Sequence, residues 1–566
     1  MSIESTHVST GTVTLKGTGV VPGIAYAPAG WARPRPALPV DDRIIPERSR
    51  DAEKERFLEA TTTVAGRLAA RAETASGAAA EVLAATANLA SDRGWLRAAQ
   101  KLITAGTPAT MATIGAIDQF VTKFEKLGGL MAERITDLKD IRDRVLAELM
   151  GQAEPGVPSP DSPIVLLAED LAPADTALLD PSLVTALVTE LGGPTSHTAI
   201  IARQLGIPCV VGVADLERVE EGTAIVVDGA AGTVVTGVPA NDAQRLVAGD
   251  ADRRAAIAAW RGPAALASGE PVQLLANVQN GSDAHKAATG SDAEGVGLFR
   301  TELAFLKAQV EPAVDEQAAI YRGVLEAYAG KKVVIRTLDA GSDKPVPFAS
   351  QEHEENPSLG VRGIRLSFSK DGLLDRQLDG IVRAKEQTGQ GSNVWVMAPM
   401  IATIDEARRF AAAARERGLV AGIMVEVPSV AVLAEEFLDE VDFLSIGTND
   451  LTQYTMAADR LAPELAYLTD PWQPAVLRLV ATTAAAGVAA GKPVGVCGEA
   501  AADPILACVL TGMGITSLSM AAAAIPAVGM QLGRVTSDEC REAAEAALGA
   551  RTADAARARV SEILNG

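Results

Sequence analysis

Apolar residues recur along the chain with different periods, and each change of period marks a boundary. Residues 11–30, GTVTLKGTGVVPGIAYAPAG, hold short apolar runs broken by Gly and Pro without helical repeat, which predicts strands of a sheet completed elsewhere. From about Pro46 to Met150 the spacing becomes three and four: Ile114, Ile117, Val121, Phe124 and Leu127, then Ile135, Leu138, Ile141, Val145 and Leu149. That spacing predicts a helical bundle. The segment 152–163, QAEPGVPSPDSP, has the composition of a linker. Strand-like and helix-like runs alternate beyond it: PIVLLAED, a helix near Ala172 to Leu179, VTALVTE, GGPTSHTAIIARQLG, CVVGV, AIVVDG and TVVTG. These predict a small α/β domain whose sheet takes in the N-terminal strands, so that the helical bundle is an insertion into it. Asn241 to Arg261 predicts a polar-faced helix joining domains.

From about Gly269 the rhythm is strand then helix, through VQLLANV, GVGLFRTE, VVIRTLDA, WVMAPM, AGIMVEV, FLSIGTND, VGVCGEA and TSLSM. Eight such units predict a (β/α)8 barrel of the TIM type, whose chemistry sits at the C-terminal ends of its strands. The chain is thus expected to be a multidomain α/β protein: 1–42 as N-terminal strands of the α/β domain, 43–151 as the inserted bundle, 152–240 as the rest of that domain, 241–265 as a linker helix and 266–566 as the barrel.

Composition narrows the function. The 48% hydrophobic and 22% charged residues are ordinary for a globular protein. A net charge of −21 argues against general nucleic-acid binding, which needs a basic surface to displace counterions. Cys209, Cys497, Cys508 and Cys540 show no metal-ligand spacing and no CxxC pair, so neither a zinc site nor a disulfide framework is expected. Cys209 and Cys508 read as core and Cys540 as a helix-surface thiol. The opening MSIESTHVSTGTV has no basic start followed by an apolar core, and no apolar run reaches the roughly 20 residues that span a bilayer. A cytoplasmic protein is expected.

Two constellations carry candidate chemistry. His197 follows LGGPTS and opens the helical run TAIIARQLG; a helix N-terminus offers unpaired N–H groups and partial positive charge to an anion. Gly192 and Gly193 allow close backbone approach, and Thr195, Ser196 or Thr198 supply hydroxyl donors. His7, His285 and His353 read as solvated. In the barrel, Asn277, Arg300, Arg336, Asp339, Glu426, Asn449, Asp450, Cys497 and Glu499 fall at predicted strand ends. Arg300 and Arg336 suit a phosphate in forked geometry, and Glu426 and Asp450 suit one hard cation such as Mg²⁺.

The loop GGPTSHTAIIARQLGIPCVVG resembles the phosphohistidine loop of the phosphoenolpyruvate-utilising enzymes. With GVVPGIA, EGVGLFRTELAF, IRTLDAGSDKP, EENPSLGVRGIR, GIMVEVPS, SIGTNDLTQYTMAADR and GVCGEAA, nearly the whole chain is similar to Enzyme I of the sugar phosphotransferase system. The resemblance implies that His197 takes the phosphoryl group of phosphoenolpyruvate, releasing pyruvate, and passes it to the histidine of a carrier protein, HPr, docked on the bundle. It implies Cys497 as proton donor to the enolate, Arg460 and Arg365 beside Arg300 and Arg336, Asn449 and Asp450 on the substrate, and Glu426 with Asp450 on Mg²⁺. It also implies a homodimer through the barrel. Because His197 must serve two places, the α/β domain is expected to swivel, with hinges in Gln152 to Pro163 and near Gly237 to Asn241. Pro194, Ala340 and Ser342 depart from the family pattern.

Overall fold

The computed structural model describes residues 12–33, 36–74, 78–127, 134–157, 160–171, 179–193, 196–306, 308–342, 345–349, 354–460, 462 and 465–565. Two compact units meet in sequence at Arg253 and Arg254. The expected helix near Ala172 falls on 172–178, outside the described residues, as do His7, Pro194, Thr195 and His353.

In the first unit, β1 (Val13–Lys16), β2 (Thr18–Val21) and β3 (Ile24–Trp31) join β4 (Ile164–Ala168), β5 (Val184–Thr189), β6 (Cys209–Val211), β7 (Ala224–Asp228) and β8 (Thr233–Thr236). The sheet order is β1-β8-β7-β3-β4-β5-β6-β2. Strand β3 lies parallel to β4 and antiparallel to β7, so the N-terminal strands complete a sheet whose other members come more than 130 residues later. Alternate side chains feed opposite faces. Val165, Leu167, Ala186 and Val188 enter one apolar layer, while Ile164, Leu166, Ala168 and Leu187 enter the other. A strand buried on both sides needs apolar residues at every position, which is why IVLLA reads as an unbroken run.

Between β3 and β4 the chain makes the helices Arg50–Thr74, Ala78–Ala90, Arg93–Ala105, Ala109–Leu127 and Ile135–Met150. Their core holds Phe57, Leu68, Trp95, Ile103, Ile117, Leu138, Ile141 and Val145, with Phe57 and Trp95 edge to face at 5.8 Å. The segment expected to be a plain linker is instead anchored. Glu154 accepts from the fully buried Arg144 at 2.5 Å and from Arg71 at 3.0 Å, and Gly156 bridges Arg33. A guanidinium out of water needs such partners, so the carboxylate ties the segment to the bundle.

The helix Ala240–Ala259 follows β8. Its Asp250 is buried and accepts the Ile24 amide at 3.0 Å, fastening the first half of the helix to the sheet. Residues 251–259 beyond it are exposed apart from Ile257, which is half-buried.

The second unit is a closed barrel of β9 (Gln273–Val278), β10 (Gly295–Arg300), β11 (Lys332–Arg336), β12 (Val394–Ala398), β13 (Val420–Val425), β14 (Phe443–Ile446), β15 (Val494–Val496) and β16 (Ser517–Met520). All neighbours are parallel, and β16 closes on β9 with Ser517 opposite Gln273. The eight strands coincide with the eight apolar runs of the sequence. Leu298, Val334, Met397, Met424, Phe443 and Cys497 form a separate apolar cluster from the larger one built with the surrounding helices.

Cys540 corrects an expectation: it is buried, not on a helix surface. Helix Ser537–Leu548 turns Cys540, Ala543, Ala544 and Ala547 onto helix Pro504–Gly512. The two approach so closely that a Cβ on Gly512 would lie 1.9 Å from the Cys540 carbonyl oxygen. Small residues make that face inconspicuous in sequence. Cys209 and Cys508 are buried as expected.

Candidate active site

At the C-terminal end of the barrel strands a cavity of about 550 Å³ is lined by Arg300, Glu302, Arg336, Glu426, Asn449, Asp450, Arg460, Cys497 and Glu499, among others. Parallel strands bring this about, because each presents its last residue to the same end. Arg300 and Arg336 are the last residues of adjacent β10 and β11 and stand opposite each other in register.

Charge in this cavity is held by a buried network. Arg336 donates to Glu302 at 2.6 Å and lies 3.4 Å from Asp339. Glu426, directly after β13, accepts the Met400 amide through Oε1 at 2.6 Å, while its Oε2 has no partner among the described residues. Asp450 accepts from Arg362 through Oδ2 at 3.2 Å, and its Oδ1 is likewise buried and unpaired. Burial first, then the nearby Asp339 and Asp450 carboxylates, push the Glu426 carboxyl up to about 8. Two orphaned carboxylate oxygens, one on a carboxyl that burial and its neighbours push up, fit a divalent cation.

Asn449 and Glu499 bond reciprocally across two loops: the Asn449 amide donates to Glu499 Oε1, and the Glu499 N–H donates to Asn449 Oδ1, both at 3.1 Å. Cys497 follows β15, is 2% exposed, and its thiol donates to the Ile446 carbonyl at 3.6 Å. Burial raises its pKa, so the thiol keeps its proton at neutral pH. Asn277 is turned to the Cys497 and Ser519 carbonyls and does not line the cavity.

Arg365 is not where it was expected. It lies in the short helix Ile364–Ser369, donates to the Gly360 carbonyl and faces Glu406 at 4.0 Å, away from the cavity lining. The arginine brought to the acids is Arg362, three residues earlier. It is 1% exposed and donates to both oxygens of Asp339 at 3.1 Å and to Asp450. Gly363 makes the difference: its φ of +60° reverses the chain between the two arginines, and a Cβ there would sit 2.9 Å from Met400. In the sequence VRGIR both arginines look alike, and only the glycine between them hints at a reversal. Replacing Arg362 with Met should take the shared guanidinium from the buried Asp339 and Asp450 carboxylates and cost about 3–5 kcal/mol. The check is amide hydrogen exchange in β11 and β14, which should lose protection; unchanged protection would contradict the assignment.

Of the departures from the family pattern, Ala340 is buried and Ser342 donates to Glu354 at 2.6 Å. Glu354 also accepts the Val361 amide at 2.7 Å, so Ser342 helps shape the loop that carries Arg362.

In the first unit His197 is the first residue of the helix His197–Leu205. Ser196 caps it, its hydroxyl accepting the Ala199 amide at 3.3 Å, and Gly192 has a φ of +96°. The Thr198 hydroxyl is buried without a partner among the described residues. The histidine thus opens the helix, on the first turn, whose N–H groups have no carbonyl partner within the helix.

Three family models match the chain: PEP-utilising enzyme, N-terminal, over 16–134; PEP-utilising enzyme, mobile domain, over 160–232; and PEP-utilising enzyme, PEP-binding domain, over 255–537. A phosphoenolpyruvate-protein phosphotransferase of Streptomyces coelicolor is 46% identical over 559 residues, covering 98% of this chain and 99% of that one. One from Bacillus subtilis is 36% identical over 572 residues, covering 97% and 99%. One from Haloferax volcanii is 41% identical over 479 residues, covering 82% of each.

Proposed function

From the premise that this chain belongs to the PEP-utilising enzymes, we propose that it is a phosphoenolpyruvate-protein phosphotransferase that carries the phosphoryl group on His197 and delivers it to the histidine of an HPr-type carrier. The observation that carries the reading is the cavity itself. Three lining arginines, Arg362 close by and two acids with orphaned oxygens converge where a substrate bearing a phosphate and a carboxylate needs positive charge and a cation.

Phosphoryl transfer depends chiefly on positioning and charge neutralisation. Arg300, Arg336 and Arg460 neutralise the phosphate of phosphoenolpyruvate, and Asn449 orients the substrate while Glu499 fixes the Asn449 amide. Mg²⁺, when held by Glu426 and Asp450, supplies electrostatic stabilisation of the transferring group. An imidazole nitrogen of His197 forms the N–P bond as the bond from phosphorus to the enol oxygen breaks. The enolate left behind takes a proton at carbon from the Cys497 thiol, giving pyruvate. The free N–H groups at the start of the helix His197–Leu205 stabilise the phosphohistidine. Because one histidine serves both the cavity and a carrier docked on the inserted bundle, the α/β domain that bears it swivels about hinges in Gln152 to Pro163 and near Gly237 to Asn241. The reading includes a homodimer through the barrel.

The test is transfer itself. Incubation with phosphoenolpyruvate, Mg²⁺ and an HPr-type carrier should release one pyruvate per carrier phosphorylated, without ATP, and chelation of the cation by EDTA should stop it. Transfer only with ATP, or unaffected by EDTA, would sink the proposal.

A further inference from the structure

We infer that Glu302 is a positioning residue for the phosphate arginine Arg336, an inference resting on the phosphotransferase reading above. Glu302 opens the short helix Glu302–Leu306 that follows Arg300, so Arg300, Thr301 and Glu302 are consecutive at the mouth of the barrel. All three act on the phosphate site, in different ways. Arg300 lines the cavity. Thr301, fully buried, donates its hydroxyl to the main-chain carbonyl of Arg336 at 3.0 Å and itself accepts from Gln377 at 3.3 Å. Glu302 receives the other end of the same arginine, Oε1 to Nη2, at 2.6 Å. The segment therefore grips Arg336 at its backbone and at its guanidinium.

The grip matters because the rest of the guanidinium is weakly held. Nε is buried without a partner, and Nη1 reaches only the Met424 sulfur at 3.7 Å. A buried N–H without an acceptor is costly, and a phosphate oxygen arriving in the cavity relieves that cost. Fixing Nη2 sets the plane of the guanidinium, and so the one orientation in which its remaining N–H groups meet an incoming anion. Both side chains are nearly shut off from water, 8% exposed for Arg336 and 11% for Glu302, so solvent does little to screen the pair. Asp339, 3.4 Å from the same Nη2, is already engaged by Arg362 through both oxygens, which leaves Glu302 as the closer anchor. The sequence signal is the spacing Arg-x-Glu at the end of β10, two residues from a phosphate arginine.

The experiment compares the full chain with Glu302→Gln, Glu302→Ala and Arg336→Lys, alone and combined, following pyruvate release against phosphoenolpyruvate concentration with Mg²⁺ and the carrier present. Loose positioning of a catalytic group costs up to about 100-fold, so Glu302→Ala should raise KM for phosphoenolpyruvate roughly tenfold or more. Glu302→Gln, which keeps an acceptor of the same length, should recover most of that. In the Arg336→Lys background the loss from Glu302→Ala should shrink to within about twofold, because the fork being positioned is gone. A purely structural role would instead give the same loss in both backgrounds. Equal losses, or a KM within about twofold of the parent for a Glu302→Ala protein that unfolds at the parent's temperature, overturn the inference. So does a lowered KM, which would mean that the carboxylate competes with the phosphate. If the parent itself fails to release pyruvate, it is the phosphotransferase reading that falls, and the variants say nothing against Glu302.

Discussion

Replacing His197 with Ala should reduce phosphoryl label incorporated from phosphoenolpyruvate to background. The label on the parent should be lost in acid and retained in base, as a phosphorus–nitrogen bond requires, and should form without ATP. No other described histidine is placed to substitute: His285 is exposed on the helix Gly281–Gly290, away from the barrel mouth residues. The variant should still bind phosphoenolpyruvate, because the arginines and acids that hold it all belong to the second unit. Binding retained with labelling abolished separates a lost nucleophile from a damaged fold. Label persisting in the variant, or a parent labelled only with ATP, would require a different phosphoryl acceptor.

Cys497→Ala should slow net pyruvate formation by about 10² to 10⁴, the range over which a positioned general acid contributes. The thiol is suited to that task by the same burial that makes it inconspicuous. It is surrounded by Leu298, Met397, Met424 and Phe443, and an apolar wall keeps it protonated where an exposed cysteine would begin to ionise. Removing it leaves the charge arrangement of Arg300, Arg336, Glu426 and Asp450 in place, so cleavage of the phosphorus–oxygen bond should survive better than protonation of carbon. Single-turnover experiments in deuterated water can tell these apart. With phosphoenolpyruvate stereospecifically tritiated at C3, the variant should still phosphorylate His197, while the enolate picks up solvent deuterium on both faces and gives pyruvate with a racemic chiral methyl group. Stereospecific deuteration in Cys497→Ala would assign the proton to another group.

Much of the architecture was readable because parallel strands buried on both sides leave continuous apolar runs, and all eight barrel strands fall on such runs. The N-terminal strands were legible as strands, but their pairing was not: whether β3 sits beside β4 or β7 depends on register with residues far along the chain. The strand-end rule gathered Arg300, Arg336, Glu426, Asn449, Asp450 and Cys497 correctly into one cavity. Arg365, expected there from the resemblance alone, lies elsewhere because a positive φ at Gly363 decides which arginine turns inward, and a sequence shows the glycine without its torsion. Glu302 lay inside a recognised motif, and its role stayed hidden because the guanidinium that donates to it belongs to a residue 34 positions away. The anchored linker escaped for a similar reason: Glu154 is one acid among prolines until Arg71 and Arg144 converge on it.

The helix Ala240–Ala259 sets the concentration terms of the whole cycle. Its first half is fastened to the sheet that carries His197 through Asp250, and its end leads into the barrel, so histidine and cavity are parts of one chain joined by a short, ordered arm. In the phosphotransferase reading, covalent connection makes the meeting of histidine and cavity intramolecular, whatever the enzyme's dilution. Loading of the histidine is then a first-order event in enzyme, indifferent to how many copies of the protein a cell contains. Unloading onto a separate carrier is second-order, and it alone rises and falls with carrier abundance. The covalent arm thus lets supply of phosphoenolpyruvate and demand for phosphorylated carrier be sensed on different scales by a single polypeptide.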